Sequence, residues 1–287
     1  MAELAYRVME YCLPFEWVRY DFMKNALLAA CLVTPLFALL GTMVISNRMA
    51  FFSDVLGHSA LTGIALGVLL GLMNPLSAMI AFAILIAIAF TIFKNITHTS
   101  PDTVLGVFMA VTVALGVVIL SRGGGFAKYT VYLIGDILAV TPVQLKSLLL
   151  LFAIVACYWI IAGNAMALLC VNSSLARSRG LPVVLIETSF AALLAVVVAS
   201  TVQLLGILII NSLLILPAAA ARNVATSMRS YTAWALGISL ASGITGLIFS
   251  YYWGTASGAT IVLCAAAWYC GTAIWSYARR NIRRHVK

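Results

Sequence analysis

The stretch Val55–Phe93, VLGHSALTGIALGVLLGLMNPLSAMIAFAILIAIAFTIF, runs 39 residues without an aspartate, glutamate, lysine or arginine. As one helix it would be about 58 Å long. The hydrocarbon core of a bilayer is roughly 30 Å thick and takes about 20 residues to cross. Asn74-Pro75 lies near its middle, and that dipeptide favours a turn. The stretch therefore predicts two membrane spans joined by a tight turn.

The rest of the chain agrees with this reading. Of its 287 residues 64% are hydrophobic and only 9% charged, where a soluble domain carries about 25% charged residues; the mean hydropathy is +1.10. Such a composition excludes a water-soluble globule, a disordered chain and a small disulfide scaffold. It also lacks the ten-residue polarity alternation of a membrane barrel. The fold class is all-α, a polytopic integral membrane protein. Asn25–Asn47, Thr103–Ser121 and Ser147–Ala176 each hold one span. Ser230–Ala278 holds two, broken near Trp253-Gly254. Thr188–Ala221 has 34 residues, too long for one span and tight for two, which predicts a span plus a broken or re-entrant segment. The count is eight or nine spans.

Lysine and arginine total 17 against 8 acidic residues. They sit between apolar runs and at the C-terminus, which points to topology rather than to nucleic acid. Arg48, Lys94, Arg177 with Arg179, Arg222 with Arg229 and the tail Arg279–Lys287 fall on one side if spans alternate, and that side is expected to be cytoplasmic. Arg122 and Lys128 fall on the other. The nine-span reading puts the N-terminus outside and the C-terminus inside. The chain divides into residues 1–24, outside or interfacial and without a cleavable signal; a single transmembrane domain over 25–278; and a basic cytoplasmic tail, 279–287. The segment Phe126–Pro142 is too short to span and reads as a short helix or re-entrant piece. The six cysteines form no Cys-x-x-Cys, and are expected to be buried thiols.

Charges within a membrane are costly, about 2.5–3.5 kcal/mol each on insertion scales, and mark function by default. Asp54 and His58 stand four apart, on one helix face. Carboxylate with imidazole suits Zn²⁺, Mn²⁺ or Fe²⁺, with water or another chain completing the shell. A helix-start aspartate with a hydrogen-bonded histidine is the other reading of the pair. Gly63, Gly67 and Gly71 form a small-residue stripe suited to close helix packing. Asp136 is either an outer gate in a substrate path or a helix cap. Asp102 reads as a helix start, His98 as a loop residue, and Glu187 as the partner of a loop arginine. Asn172–Pro182 is polar and basic, with Gly180-Leu181-Pro182 as a helix stop, and is either an ordinary loop or a docking element. Gly123-Gly124-Gly125 has no Lys-Ser/Thr after it and no phosphate loop occurs, so any ATP hydrolysis belongs to another chain.

Four motifs carry a family resemblance. Arg48-Met-Ala-Phe-Phe-Ser-Asp54-Val-Leu-Gly-His58-Ser-Ala-Leu resembles the signature of metal-uptake ABC permeases of the zinc/manganese/iron family. Tyr132-Leu-Ile-Gly-Asp136-Ile-Leu-Ala-Val-Thr resembles a second motif, in the form found in the zinc permeases. Leu213-Leu-Ile-Leu-Pro217-Ala-Ala-Ala-Ala-Arg222 is similar to a third. Ala176-Arg177-Ser-Arg179-Gly180-Leu181-Pro182 resembles the loop that docks on the ATPase. They run in family order across roughly residues 26–278. The resemblance implies a permease in the bacterial inner (plasma) membrane, paired with a second copy of itself and with two cytoplasmic ABC ATPase subunits. An extracytoplasmic binding protein would deliver the metal. Asp54 and His58 match the positions that contact metal in that family. No permanently bound cofactor is expected: Zn²⁺, or Mn²⁺ or Fe²⁺, is the substrate. The rival reading is a proton-coupled secondary transporter using Asp54, Asp136 or Glu187. Two departures stand out: Gly57 replaces the family's usual serine or alanine, and the docking loop has Asn172 and Ser174 where acidic residues are common.

Overall fold

A computed structural model describes residues 20–72, 75–97, 99–122 and 135–285. Within them ten α-helices and one 3₁₀ turn occur and no strand. The helices are α1 (Asp21–Ser46), α2 (Phe52–Leu69), α3 (Pro75–Ile96), α4 (Pro101–Arg122), α5 (Pro142–Val171), α6 (Ser173–Ser178), α7 (Val183–Leu205), α8 (Ile207–Val224), α9 (Met228–Trp253) and α10 (Ser257–His285); the 3₁₀ turn is Ile137–Ala139. Eight are long and apolar enough to cross a membrane, and Ile209–Val224 is a shorter apolar helix. The expected all-α polytopic architecture is what the chain forms.

The breaks follow the local chemistry. The 39-residue stretch splits into α2 and α3; Gly71 takes φ +68° after α2 ends, a left-handed conformation open to glycine. Asn74, half of the expected turn, lies outside the described residues. Thr188–Ala221 divides at Gly206, whose φ of +79° ends α7, with its N–H donating to Val202 O. That gives a span followed by a separate helix. Gly254, at φ +60°, closes α9 where Trp253-Gly254 was expected to break the run. The first span begins at Asp21, so residues 21–24 are already helical, and Lys24 pairs with Asp21 at 3.2 Å. Residues 1–19, Gly123-Gly124-Gly125, Lys128 and most of Phe126–Pro142 lie outside the described residues, as do His98 and Cys12.

The chain gathers into two compact units. One comprises residues 1–42, 136–156 and 212–287. There α9 packs on α10, with Gly246 set against the Ile261 backbone so closely that a Cβ would approach it to 2.5 Å. Ser239 Oγ of α9 donates to Thr34 O of α1 at 2.7 Å. Gly41 of α1 lies against the backbone of Leu214 on α8.

The other unit comprises residues 43–135 and 157–211. Its centre is α2, which packs on α3, α4 and α7, while α3 also packs on α7. Gly63 lets α2 approach α3: a Cβ there would come within 2.8 Å of Met79 Cα. The expected glycine packing holds at Gly63, but Gly71 lies past the helix end and meets nothing within 4 Å. Thr62 Oγ1 bridges to Thr112 O on α4 at 2.7 Å. Phe52 and Phe90 meet at 4.8 Å between ring centroids, and Phe90 meets Phe108 at 6.2 Å. The described cysteines are all free, but none is buried: Cys157 and Cys270 are exposed, and Cys31, Cys170 and Cys264 half-buried. The expectation of buried thiols fails because these cysteines sit on helix faces that the chain itself leaves uncovered, where a thiol is apolar enough to meet lipid.

Candidate functional site

Asp54 lies in the first turn of α2 and His58 one turn later. Both are half-buried. No side chain caps the start of α2, so Asp54 is the acidic group nearest its positive end. The helix carries both readings at once: Asp54 is a helix-start residue, and it shares a face with His58. Among the described residues no group of three histidine, cysteine, aspartate or glutamate side chains comes together. Two side chains cannot fill a zinc shell of four.

Gly57, on the same stretch of α2, explains one departure from the family pattern. A Cβ there would meet the Ile207 side chain at 3.1–3.3 Å, so the serine or alanine usual elsewhere would crowd the first residue of α8. One turn further along α8 stands Asn211, whose Nδ2 donates to Asp54 Oδ1. Charge counting along the sequence passed over Asn211, because an amide carries no charge. Its signal was an amide, with only Ser212 also polar, in the run Ile207–Ala221, where an amide in an apolar span needs a partner.

Gly135 and Gly206 are a second pairing the sequence did not reveal. Their backbones touch, leaving no room for a Cβ on Gly135. Both have positive φ. Gly135 of the second sequence motif thus backs onto the α7–α8 break.

The other candidates have local explanations. Asp136 is exposed, and its carboxylate accepts from Leu138 N at 2.9 Å, capping the 3₁₀ turn. Asp102 lies in the first turn of α4. Glu187 pairs with Lys94 on α3 at 3.1 Å, not with a loop arginine, and Asn95 Nδ2 adds a contact at 3.4 Å. Both charges of that pair are 18% exposed. The correction has a simple cause: α3 packs along α7, so its terminal lysine reaches Glu187, while Arg177 and Arg179 stay exposed.

The segment Asn172–Pro182 is ordered. Asn172 caps α6 by accepting from Ser174 N at 2.9 Å and Leu175 N at 3.1 Å. Asparagine does here what aspartate does equally well, so the missing acidic residues leave the helix intact. Ala176 is fully buried; Arg177, Arg179, Gly180 and Pro182 are exposed and Leu181 half-buried. Gly180 turns the chain at φ +75°, and α7 starts after Pro182.

The profile of the ABC 3 transport family matches residues 19–276. The chain belongs to this family. Among its ABC 3 relatives, the high-affinity zinc uptake system membrane protein ZnuB of Haemophilus influenzae is 34% identical over 248 residues, covering 86% of this chain and 95% of the relative. The manganese import system permease protein ScaB of Streptococcus gordonii is 26% identical over 93% of this chain and 96% of its own. A solved structure, PsaBC from Streptococcus pneumoniae in complex with Fab, matches with a TM-score of 0.76 at 26% identity, covering 95% of each chain.

Proposed function

We propose that the chain carries Zn²⁺ across the plasma membrane of a bacterium, with Asp54 and His58 touching the ion, and with Mn²⁺ or Fe²⁺ as alternative cargo. It is a permease subunit of a metal-importing ABC system. The observation that carries the site assignment is the placement of Asp54 and His58 one turn apart on α2, the helix most enclosed by its neighbours in its unit. The carboxylate offsets cationic charge and the imidazole supplies the nitrogen donor zinc favours. Two ligands per chain give a shallow site, which suits an ion that must leave again; water or a second copy completes the shell.

The partners in this reading are a second copy of the chain, two cytoplasmic ABC ATPases and an extracytoplasmic metal-binding protein. ATP hydrolysis belongs to the ATPase chains, which receive Ala176, Arg177, Arg179, Gly180, Leu181 and Pro182. Residues 25–278 act as the permease domain, and 279–287 as a cytoplasmic tail. The Lys94–Glu187 pair supports this sidedness, because it brings the end of α3 beside the start of α7, and with it the docking segment. A proton-coupled carrier loses support from the same pair, since Glu187 is held by a lysine, and from membership of the ABC 3 family.

The test is zinc uptake per folded complex in proteoliposomes holding permease and ATPase. Asp54→Ala and His58→Ala are each expected to abolish uptake while assembly persists. Near-normal uptake by a well-assembled His58→Ala complex overturns the metal assignment. A C-terminal reporter is expected in the cytoplasm and a tag within residues 123–128 outside; the inverse pattern overturns the topology.

A further inference from the structure

We propose that Asn211 is a positioning residue for the metal path, holding the Asp54 carboxylate and so setting how tightly the path grips its ion. The inference rests on the assignment of Asp54 as a metal contact. Asn211 follows Ile209 and Ile210 and precedes Leu213 and Leu214, all buried. An amide among such neighbours is costly unless it is hydrogen-bonded, and a leucine would pack there more cheaply. The amide does have one bond: Nδ2 donates to Asp54 Oδ1. A carboxylate accepts and cannot donate, so the amide must present its nitrogen to Asp54. Its own oxygen is buried with no partner among the described residues. A residue kept only for adhesion between helices would not carry an unsatisfied oxygen. A residue kept to orient a charge accepts that cost.

The arrangement has two effects on the carboxylate. One oxygen is committed to Asn211, so the carboxylate has a fixed rotamer and turns its remaining electron pairs toward an incoming cation. The donated hydrogen bond also withdraws a little electron density from the carboxylate, but fixing its orientation outweighs this, and the net effect is a firmer hold on the ion. Asn211 stands five residues after the Gly206 break and four after Ile207, which rests on Gly57. The amide is thereby held in register with Asp54 through a neighbouring contact on the same two helices.

Zinc uptake and zinc retention by the complete permease–ATPase complex test this. Ligand-orienting partners of metal sites are worth about 10–100-fold in metal affinity. Asn211→Leu keeps the volume and removes the donor; the KM for zinc is expected to rise by about that factor, with maximal uptake per complex little changed. Asn211→Asp places a second carboxylate beside the first; the purified complex is expected to retain zinc through desalting and to turn over slowly. An Asn211→Leu complex with the original KM overturns the proposal. Should that variant fail to assemble, an Asn211→Asp complex that retains no additional zinc overturns it as well. Asp54→Ala run in parallel separates the two readings: persistent uptake there removes the metal path itself, whereas its loss beside unaltered Asn211 variants removes only the role of Asn211.

Discussion

Two helical hairpins, α2–α3 and α9–α10, are built with the same device and put to different use. In each a glycine brings the partner backbone close: Gly63 against Met79 in the first, Gly246 against Ile261 in the second. In each the remaining polar groups are mostly hydroxyls bonded back to helix carbonyls, such as Ser59 Oγ to Leu56 O and Ser242 Oγ to Ile238 O. The difference lies in charge and cover. The α2–α3 hairpin holds Asp54, His58 and Lys94 and is wrapped by α4 and α7. From Ser230 to Ala278 the α9–α10 hairpin holds no charge and shows Trp234, Trp253, Trp268 and Trp275 on its outside. Lipid accepts aromatic and aliphatic side chains and rejects ions, so a charge is retained only where other helices or a water-lined path surround it. Close packing by itself therefore says nothing about function; the presence of enclosed charge does.

The comparison is broken most directly through the charged pair. Asp54→Asn keeps size but loses the charge that offsets a divalent ion, and His58→Gln loses the nitrogen donor; both are expected to bring zinc uptake to background with normal assembly. Thr245→Val on α9 is expected to leave uptake unchanged. A functional Asp54→Asn permease would show that enclosed charge in α2 is structural after all. Next in size is the shared device. Gly63→Leu and Gly246→Leu are each expected to cost upward of about 3 kcal/mol through overpacking against backbone, read as lost folded yield and earlier thermal unfolding. A tolerant Gly246 with an intolerant Gly63 would show that only the enclosed hairpin depends on close approach. Lys94→Ala leaves Glu187 without its partner in a half-enclosed site, and a loss of about 1–3 kcal/mol is expected. Lys94→Ala with Glu187→Gln is expected to cost less than the two changes added together, measured by detergent-denaturation midpoints. The smallest effect belongs to Thr62→Val, which removes the bridge to Thr112 O; about 0.6–1.7 kcal/mol is expected.

Much of the fold was legible because membrane length is a ruler. Charge-free runs against a 30 Å slab gave the spans, and Gly180-Leu181-Pro182 and Trp253-Gly254 ended helices by local backbone chemistry alone; that 188–221 must break was legible from its length, but not that Gly206 breaks it. Asp54 and His58 were legible because their spacing is local. What escaped was information held by partners distant in sequence. Glu187 finds Lys94, 93 residues away, because of helix packing, which no local pattern encodes. Asn211 finds Asp54 across 157 residues and bears no charge to draw attention. Gly135 and Gly206 read as ordinary glycines until their backbones are seen to touch. The cysteines were misjudged because burial in protein and exposure to lipid select the same apolar side chain.

The Asn172 cap has a consequence for the timing of assembly. A segment that folded only on meeting its partner would lose about 1–2 kcal/mol of backbone entropy per ordered residue at the moment of contact, and over the six residues of α6 most of the contact energy would be spent on ordering. Here the helix is standing beforehand, nucleated by one amide side chain, with Ala176 already seated. The ATPase proposed to dock there would meet a finished shape, so its grip could be spent on transmitting force. Removing the cap by Asn172→Ala, worth about 1 kcal/mol, would return the segment to a folding problem and loosen the mechanical linkage without touching a single residue that faces the ion.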